Sequence, residues 1–410
     1  MAFLKSIKLS GLLSFPPDSP AIELTGLNVL IGPNGSGKSN LIECIELLHA
    51  APTAFAAAIR DGGGVQEWLW KGDKTSEPAI LEATVGGTGT IPELRYQLAF
   101  AASQQRLEVV DETIEEAEKR NTGDSDVNFY YRFQRGRPVL NMLQQAPIAV
   151  IITARSPPPD GWPSQRVLRE LQRESLIPDE SVLSQRKDPD LYPEVTWLGQ
   201  QFGRIQTFRE WSFGRYAALR QPQPADLPSQ FLLPDSRNLG LLLNQLDHTD
   251  AIAEFNRLLT KFLPRFKRLS TKTDGGTVQF YLHESGLKSP IPATRLSDGT
   301  IRFIAMLALL LSPAPPPLIC IEEPELGLHP DAIGLLADVL VDASSRTQLV
   351  VTTHSDVLVS GFTEQANSVL CCDYLQGTTL TRVESDKLTH WLNDYRLGEV
   401  WRIGELGGNP

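Results

Sequence analysis

The run Gly32-Pro33-Asn34-Gly35-Ser36-Gly37-Lys38-Ser39 carries the most specific chemistry in the chain. Its spacing is G-x-x-x-x-G-K-[ST], in which glycines let backbone N–H groups turn inward and the helix that follows adds its positive N-terminal end. Such a loop cradles phosphate. Lys38 is expected to reach the β- and γ-phosphates of ATP and the Ser39 hydroxyl to ligate Mg2+. Gly32, Asn34, Gly35, Gly37 and Asn40 complete the expected nucleotide-binding set.

Three later groups could work with that cradle. Pro317 to Glu325 is an apolar run ending in Glu322 and Glu323. Glu322 is expected to hold the metal through water, and Glu323 to orient and deprotonate the attacking water. Alone, such a pair also reads as a solvated turn; the cradle in the same chain favours the catalytic reading. Leu296-Ser297-Asp298-Gly299-Thr300 precedes an apolar helix. Ser297 there is an ordinary N-cap, but a helix N-terminus bearing a serine and a glycine also suits a γ-phosphate. Thr352-Thr353-His354-Ser355-Asp356 follows a strand and brings His354 to the carboxyl edge of the sheet, where ligands bind in open α/β folds.

The elements that position these groups can be read from periodicity. Strands are expected at Ala2–Phe15 and Leu27–Ile31, with a helix at Asn40–Ala50. Alternating segments at 79–85, 94–101, 107–110 and 128–133 suggest an antiparallel meander. After the Ser156-Pro157-Pro158-Pro159 break a helix is expected over Pro163–Ser175, and helical spacing recurs from Asn238 to Phe266. Beyond a strand at Val278–Leu282, helix and strand alternate (301–311, 318–321, 332–343, 348–352), the pattern of a parallel sheet. The expected division is 1–150 and 276–410 as two halves of one nucleotide-binding lobe, with 151–275 as a mainly helical insertion. No internal repeat or sustained heptad pattern is present.

The order cradle, Ser-Asp-Gly, Glu-Glu, His resembles the ABC-type ATPases of the RecF, SMC and OLD kind, which include RecF-like AAA-type ATPases. The resemblance implies a P-loop NTPase fold of ABC-ATPase type, a mixed parallel sheet plus an antiparallel β subdomain and an inserted helical lobe. It also implies ATP hydrolysis in a head-to-tail homodimer, where Ser297, Asp298 and Gly299 of one copy touch ATP held by Lys38 of the other. Glu325 to Pro330 then matches the D-loop and His354 the histidine that senses the γ-phosphate, and 397–408 resembles the tail of RecF-like members. The family's glutamine loop has no obvious counterpart; Gln66 and Gln185 are its candidates, and both also read as surface glutamines. Asp298 stands where transporters carry glycine, which fits the RecF and SMC side. OLD-type members add a Toprim nuclease, but about 40 residues follow the strand at 368–372, so none is expected here.

Composition narrows the setting. A formal net charge of −11 argues against a surface that binds nucleic acid everywhere, though not against a local basic groove. Two such grooves are candidates: Lys261, Arg265, Lys267, Arg268 and Lys272 interleaved with Phe262 and Phe266, and a looser group of Arg204, Arg209, Arg215 and Arg220. Solvated faces are the plainer reading of both. Trp68 and Trp70 read as packing residues or as a stacking platform. Cys44, Cys320, Cys371 and Cys372 lack metal-ligand spacing and read as reduced core thiols. No secretory signal is apparent, and the longest apolar stretch, Phe303–Leu311, falls short of the roughly 18 residues a bilayer span needs. A soluble cytoplasmic protein without membrane contact is expected.

Together these readings lead to an ATP-driven clamp or switch in DNA repair or chromosome maintenance, or the ATPase subunit of an anti-phage defence system with a separate nuclease. The alternative is a regulatory module that uses ATP to hold a protein effector without binding DNA.

Overall fold

A computed structural model of the chain describes residues 2–73, 78–119, 127–134, 136–144 and 165–407. The Ser156–Pro159 break and the end of the 397–408 tail lie outside the described residues. In chain order the strands are β1 (Leu4–Ser10), β2 (Ile22–Glu23), β3 (Leu27–Ile31), β4 (Ala79–Val85), β5 (Leu94–Ser103), β6 (Arg106–Glu116), β7 (Phe129–Gln134), β8 (Arg137–Gln144) and β9 (Gln165–Glu170). They continue with β10 (Gln206–Phe208), β11 (Gln223–Pro224), β12 (Phe266–Asp274), β13 (Thr277–Glu284) and β14 (Ile291–Pro292). The last four are β15 (Leu318–Glu322), β16 (Gln348–Thr352), β17 (Val369–Tyr374) and β18 (Thr378–Arg382).

The central sheet has the order β10-β15-β16-β3-β17-β18, parallel except for the last strand. Its four inner strands are short, mainly apolar runs because both faces are covered. Val29, Ile31, Ile319 and Val351 enter one core, beneath the helices Asp298–Leu310 and Pro330–Ala343. Leu30, Cys320 and Val350 enter the other, beneath the helix Lys38–Ala50 and the antiparallel sheet. Adjacent Cys371 and Cys372 divide between the two cores, and all four cysteines are buried and free.

The antiparallel sheet runs β2-β1-β4-β5-β6-β7-β8-β9, the expected meander extended by β1 and β2 on one side and by β8 and β9 on the other. In β4 every second residue is buried and the others half-buried, as one covered face requires. The helix expected over Pro163–Ser175 is not formed. Residues 165–170 are instead β9, paired antiparallel with β8 from Val139↔Glu170 to Gln144↔Gln165, and a 3-10 turn follows at Arg173–Ser175. The open edge of β8 offers unpaired backbone groups, and pairing with it outweighs local helix preference.

Residues of the 151–275 segment contribute to both cores. Val195, Leu198 and Phe202 of the helix Pro193–Phe202 join the core under the meander, and β10 enters the central sheet beside β15. Leu239, Leu242, Phe255 and Leu259 of two later helices join the other core. Beside them β11, β13 and β12 form a small antiparallel sheet, with β14 paired to β13. Among the described residues no helix is long and apolar enough to cross a membrane.

One buried acid ties the insertion to the meander. Glu112 of β6 accepts hydrogen bonds from Tyr96 Oη (2.9 Å), Val182 N (2.8 Å) and Ser181 Oγ (2.5 Å). Burial pushes its carboxyl up to about 7, against those hydrogen bonds. A carboxyl raised on folding binds its proton more tightly in the folded state, so stability falls as pH rises from the ordinary carboxylate range to about 7. Denaturant titrations at pH 5 and pH 8 are expected to show this loss, and Glu112→Gln to flatten it.

Candidate active site

The cradle is built by close approaches that only glycine permits. Gly32 lies at φ 143°, and a Cβ there would sit 2.2 Å from the Cys372 carbonyl oxygen of β17. Gly37 lies at φ 100°, with Thr378 Oγ1 only 2.0 Å from where its Cβ would be. Thr378 Oγ1 in turn donates to Ser36 O (2.8 Å) and accepts from Ser14 Oγ (2.7 Å), pinning the loop to β18. The helix that follows has no acidic residue in its first turn and no side-chain cap, so its positive end stays available to an anion. Ser36 Oγ is buried without a hydrogen-bond partner. These features fit a phosphate. Lys38 donates to the Gly32 (2.8 Å) and Pro33 (2.9 Å) carbonyls, which hold its ammonium across the loop. Burial lowers its pKa, opposed by Cys372, Glu323 and Glu322.

Glu322 ends β15 with its carboxylate hydrogen-bonded by Ser39; burial raises its pKa, while Arg209 and then Ser39 oppose the rise. Its Oε1 is buried without a hydrogen-bond partner. A hydroxyl and a carboxylate are hard oxygen donors of the kind Mg2+ takes alongside phosphates. Among the described residues no group of three or more His, Cys, Asp or Glu could hold a metal.

Glu323 has φ 44°, in the left-handed region, a conformation that costs a non-glycine residue about 1–3 kcal/mol. Its N–H bonds to Thr352 O (3.0 Å) and its carbonyl accepts from Arg302 (3.4 Å). Its Oε1 lies 3.8 Å from His354 Nε2. His354 is held below the ordinary imidazole range by burial and then by Lys38, with Glu323 opposing. Glu325 braces the histidine turn, accepting from Thr353 Oγ1 (2.6 Å) and His354 N (3.3 Å).

A sequence-family model described as "AAA domain, putative AbiEii toxin, Type IV TA system" matches residues 27–144 and 153–360. The chain belongs to this AAA-domain family. "Chromosome partition protein Smc" of Rhodopirellula baltica is 34% identical to the AAA-domain protein over 83 residues, 20% of this chain and 7% of that one. "Old nuclease" of Escherichia phage P2 is 39% identical over 72 residues, 17% of this chain and 12% of that one. The matches thus span a small part of either relative's length. The crystal structure of the SmcHead bound to the C-winged helix domain of ScpA superposes with a TM-score of 0.50 at 13% identity, covering 95% of this chain and 99% of that one. That likeness concerns the fold: an SMC-head-like α/β P-loop ATPase with a mixed sheet and an antiparallel subdomain.

Within the AAA-domain protein, Lys38, Ser39, Glu322, Glu323 and His354 interact with one another across three strand ends. Ser297 and Asp298 are engaged elsewhere. Ser297 caps its own helix by accepting from Thr300 N (3.1 Å), and Asp298 pairs with Arg220. Arg220 is itself buried and also donates to the Phe213, Ala293 and Leu296 carbonyls. Gly299 sits against the turn after β15, where a Cβ would come within 2.9 Å of Gly327 O. Asn34 and Gly35 are exposed on the cradle. The Asn40 amide donates to Ser14 Oγ (2.7 Å) at the wall of a cleft of about 870 Å³ that Trp70 also lines. Trp68 is a packing residue, buried with its indole N–H on Ile59 O (3.2 Å).

Neither glutamine candidate reaches the sheet edge. Gln66 is exposed on the short helix Val65–Trp68, and Gln185 clamps Ile177 and Glu180. The residue after β10, the strand beside β15, is Arg209. It faces Glu43, Glu46 and Glu322. Sequence reading placed Arg209 and Arg220 in a basic surface group; both are turned inward onto protein acceptors. The available signal was the acidic pair Glu43 and Glu46, three apart on the cradle helix, a pair that a cation stabilises. The other basic group does lie at the surface, with Lys261, Arg265, Lys267, Arg268 and Lys272 exposed. Its aromatics are packing residues: Phe262 stacks on Phe303 and Phe266 is buried.

Proposed function

We propose that the protein hydrolyses ATP in a head-to-tail dimer. The gathering of Lys38, Glu322, Glu323 and His354 around one phosphate cradle carries this reading. Lys38 and the cradle N–H groups bind the β- and γ-phosphates. Glu323 takes a proton from water as its oxygen attacks the γ-phosphorus and the bond to the β–γ bridging oxygen breaks. The neutral imidazole of His354 is suited to a hydrogen bond with the γ-phosphate. Ser39 and Glu322 would hold a Mg2+ ion, which would supply positive charge against the departing ADP. The dimer rests on the resemblance of the Ser297-Asp298-Gly299 run to a signature completed across two copies; within one copy Ser297 bonds Thr300 N and Asp298 pairs with Arg220.

In such a dimer each site takes Lys38 from one copy and Ser297 from the other. Lys38→Ala and Ser297→Arg, each inactive alone, should regain phosphate release when mixed, because half of the sites in a mixed dimer carry neither change. No recovery on mixing, with both variants folded, sinks the composite site.

Action on DNA, as a clamp in repair or chromosome maintenance or in a defence system with a separate nuclease, is favoured by the exposed basic group around Lys267. A regulatory module holding a protein effector is favoured by the net charge of −11 and the inward turn of Arg209 and Arg220. Salt-dependent DNA binding by the ATP-bound protein separates the two.

A further inference from the structure

We propose that Arg209 is a positioning residue that aims the Glu322 carboxylate at the cation carried by the bound nucleotide. The inference rests on the reading of Glu322 as the metal-holding carboxylate.

The geometry is that of a clamp with one side left open. Arg209 Nη2 lies 2.6 Å from Glu43 Oε1 and Nη1 lies 3.2 Å from Glu46 Oε2, so both outer nitrogens are committed to the cradle helix. Glu46 is fixed again by Thr207 Oγ1 (2.6 Å), two residues before Arg209 on the same segment. The remaining Nε faces Glu322 Oε1 at 3.4 Å, and neither atom makes a hydrogen bond. The charge therefore holds the carboxylate in place while its buried oxygen keeps its lone pairs uncommitted. A planar, five-donor guanidinium can do this; a lysine ammonium cannot reach three carboxylates at once. Without Arg209, Glu43, Glu46 and Glu322 would repel one another at the metal edge of the site. A purely structural clamp would stabilise the fold but leave cation binding alone, and that difference is measurable.

The test is a fluorescence titration of Mg2+ against the full chain with a fluorescent ATP analogue, alongside the same titration in EDTA. Arg209→Ala should raise the Mg2+ midpoint by about tenfold or more, the usual effect of losing a partner behind a metal ligand, and leave EDTA binding unchanged. Arg209→Lys should recover only part of the loss. In a Glu322→Gln background, Arg209→Ala should shift the midpoint no further. A folded Arg209→Ala protein with the wild-type midpoint overturns the inference. Should that variant not fold, Glu43→Gln with Glu46→Gln unmoors the guanidinium without deleting it and must raise the midpoint; an unchanged value is equally fatal. If Glu322→Gln alone leaves the midpoint unmoved, the metal reading of Glu322 is what fails.

Discussion

Glu323→Gln is expected to bind ATP, to hydrolyse it at least about a hundredfold more slowly, and to accumulate as an ATP-dependent dimer. The magnitude is that of losing a positioned general base, about 10²–10⁴ in rate. The substitution keeps the size of the side chain and leaves its backbone anchors, Thr352 O and Arg302, in place, so the turn at φ 44° should survive. What goes is the charge and the ability to accept a proton 3.8 Å from His354. Since nothing that binds the nucleotide is removed, the ATP state should persist and the dimer with it. Phosphate release and light scattering, each with and without ATP, are the measurements. Release near the wild-type rate would remove Glu323 from the role of base, and an oligomeric state indifferent to ATP would remove the nucleotide as the trigger for assembly.

Lys38→Ala should weaken ATP binding by about a hundredfold or more. Two charge-assisted hydrogen bonds to phosphate oxygens, at about 1.5–3 kcal/mol each, correspond to that loss. The ammonium is already gathered over the loop by Gly32 O and Pro33 O, so little ordering is left for the nucleotide to impose. Calorimetric titration with ATP measures the effect, and a far-ultraviolet spectrum matching wild type excludes unfolding as its source. Tight binding retained by a folded Lys38→Ala protein would overturn the assignment of the cradle.

How far the sequence alone reached can be judged at particular residues. The cradle was legible because its glycines and lysine are fixed by local geometry: the conformations at Gly32 and Gly37 and the helix that follows belong to consecutive residues, although that helix begins at Lys38, two residues before the expected Asn40. The strands β3, β4 and β16 were legible to the residue because their burial follows directly from composition. Their apolar runs or alternation have nowhere else to go in a sheet covered on one or both faces. That Glu322, Glu323 and His354 stand at strand ends was legible too, since a parallel sheet gathers its carboxyl ends at one edge whatever the intervening chain does.

What only the tertiary structure decided are the contacts that join segments far apart in the chain. β9 forms because β8 offers an edge, and nothing within Pro163–Ser175 announces that edge. Arg209 looked like one of several surface arginines. Its meaning depends on β10 lying beside β15, which brings it to Glu322 and to Glu43 and Glu46, more than 110 and 160 residues away in sequence. Arg220 likewise became internal only when the loop before it met the helix that opens with Asp298. Local conformation is set by neighbours along the chain and can be read from it; which charges neutralise one another is set by neighbours in space, and folding alone supplies those.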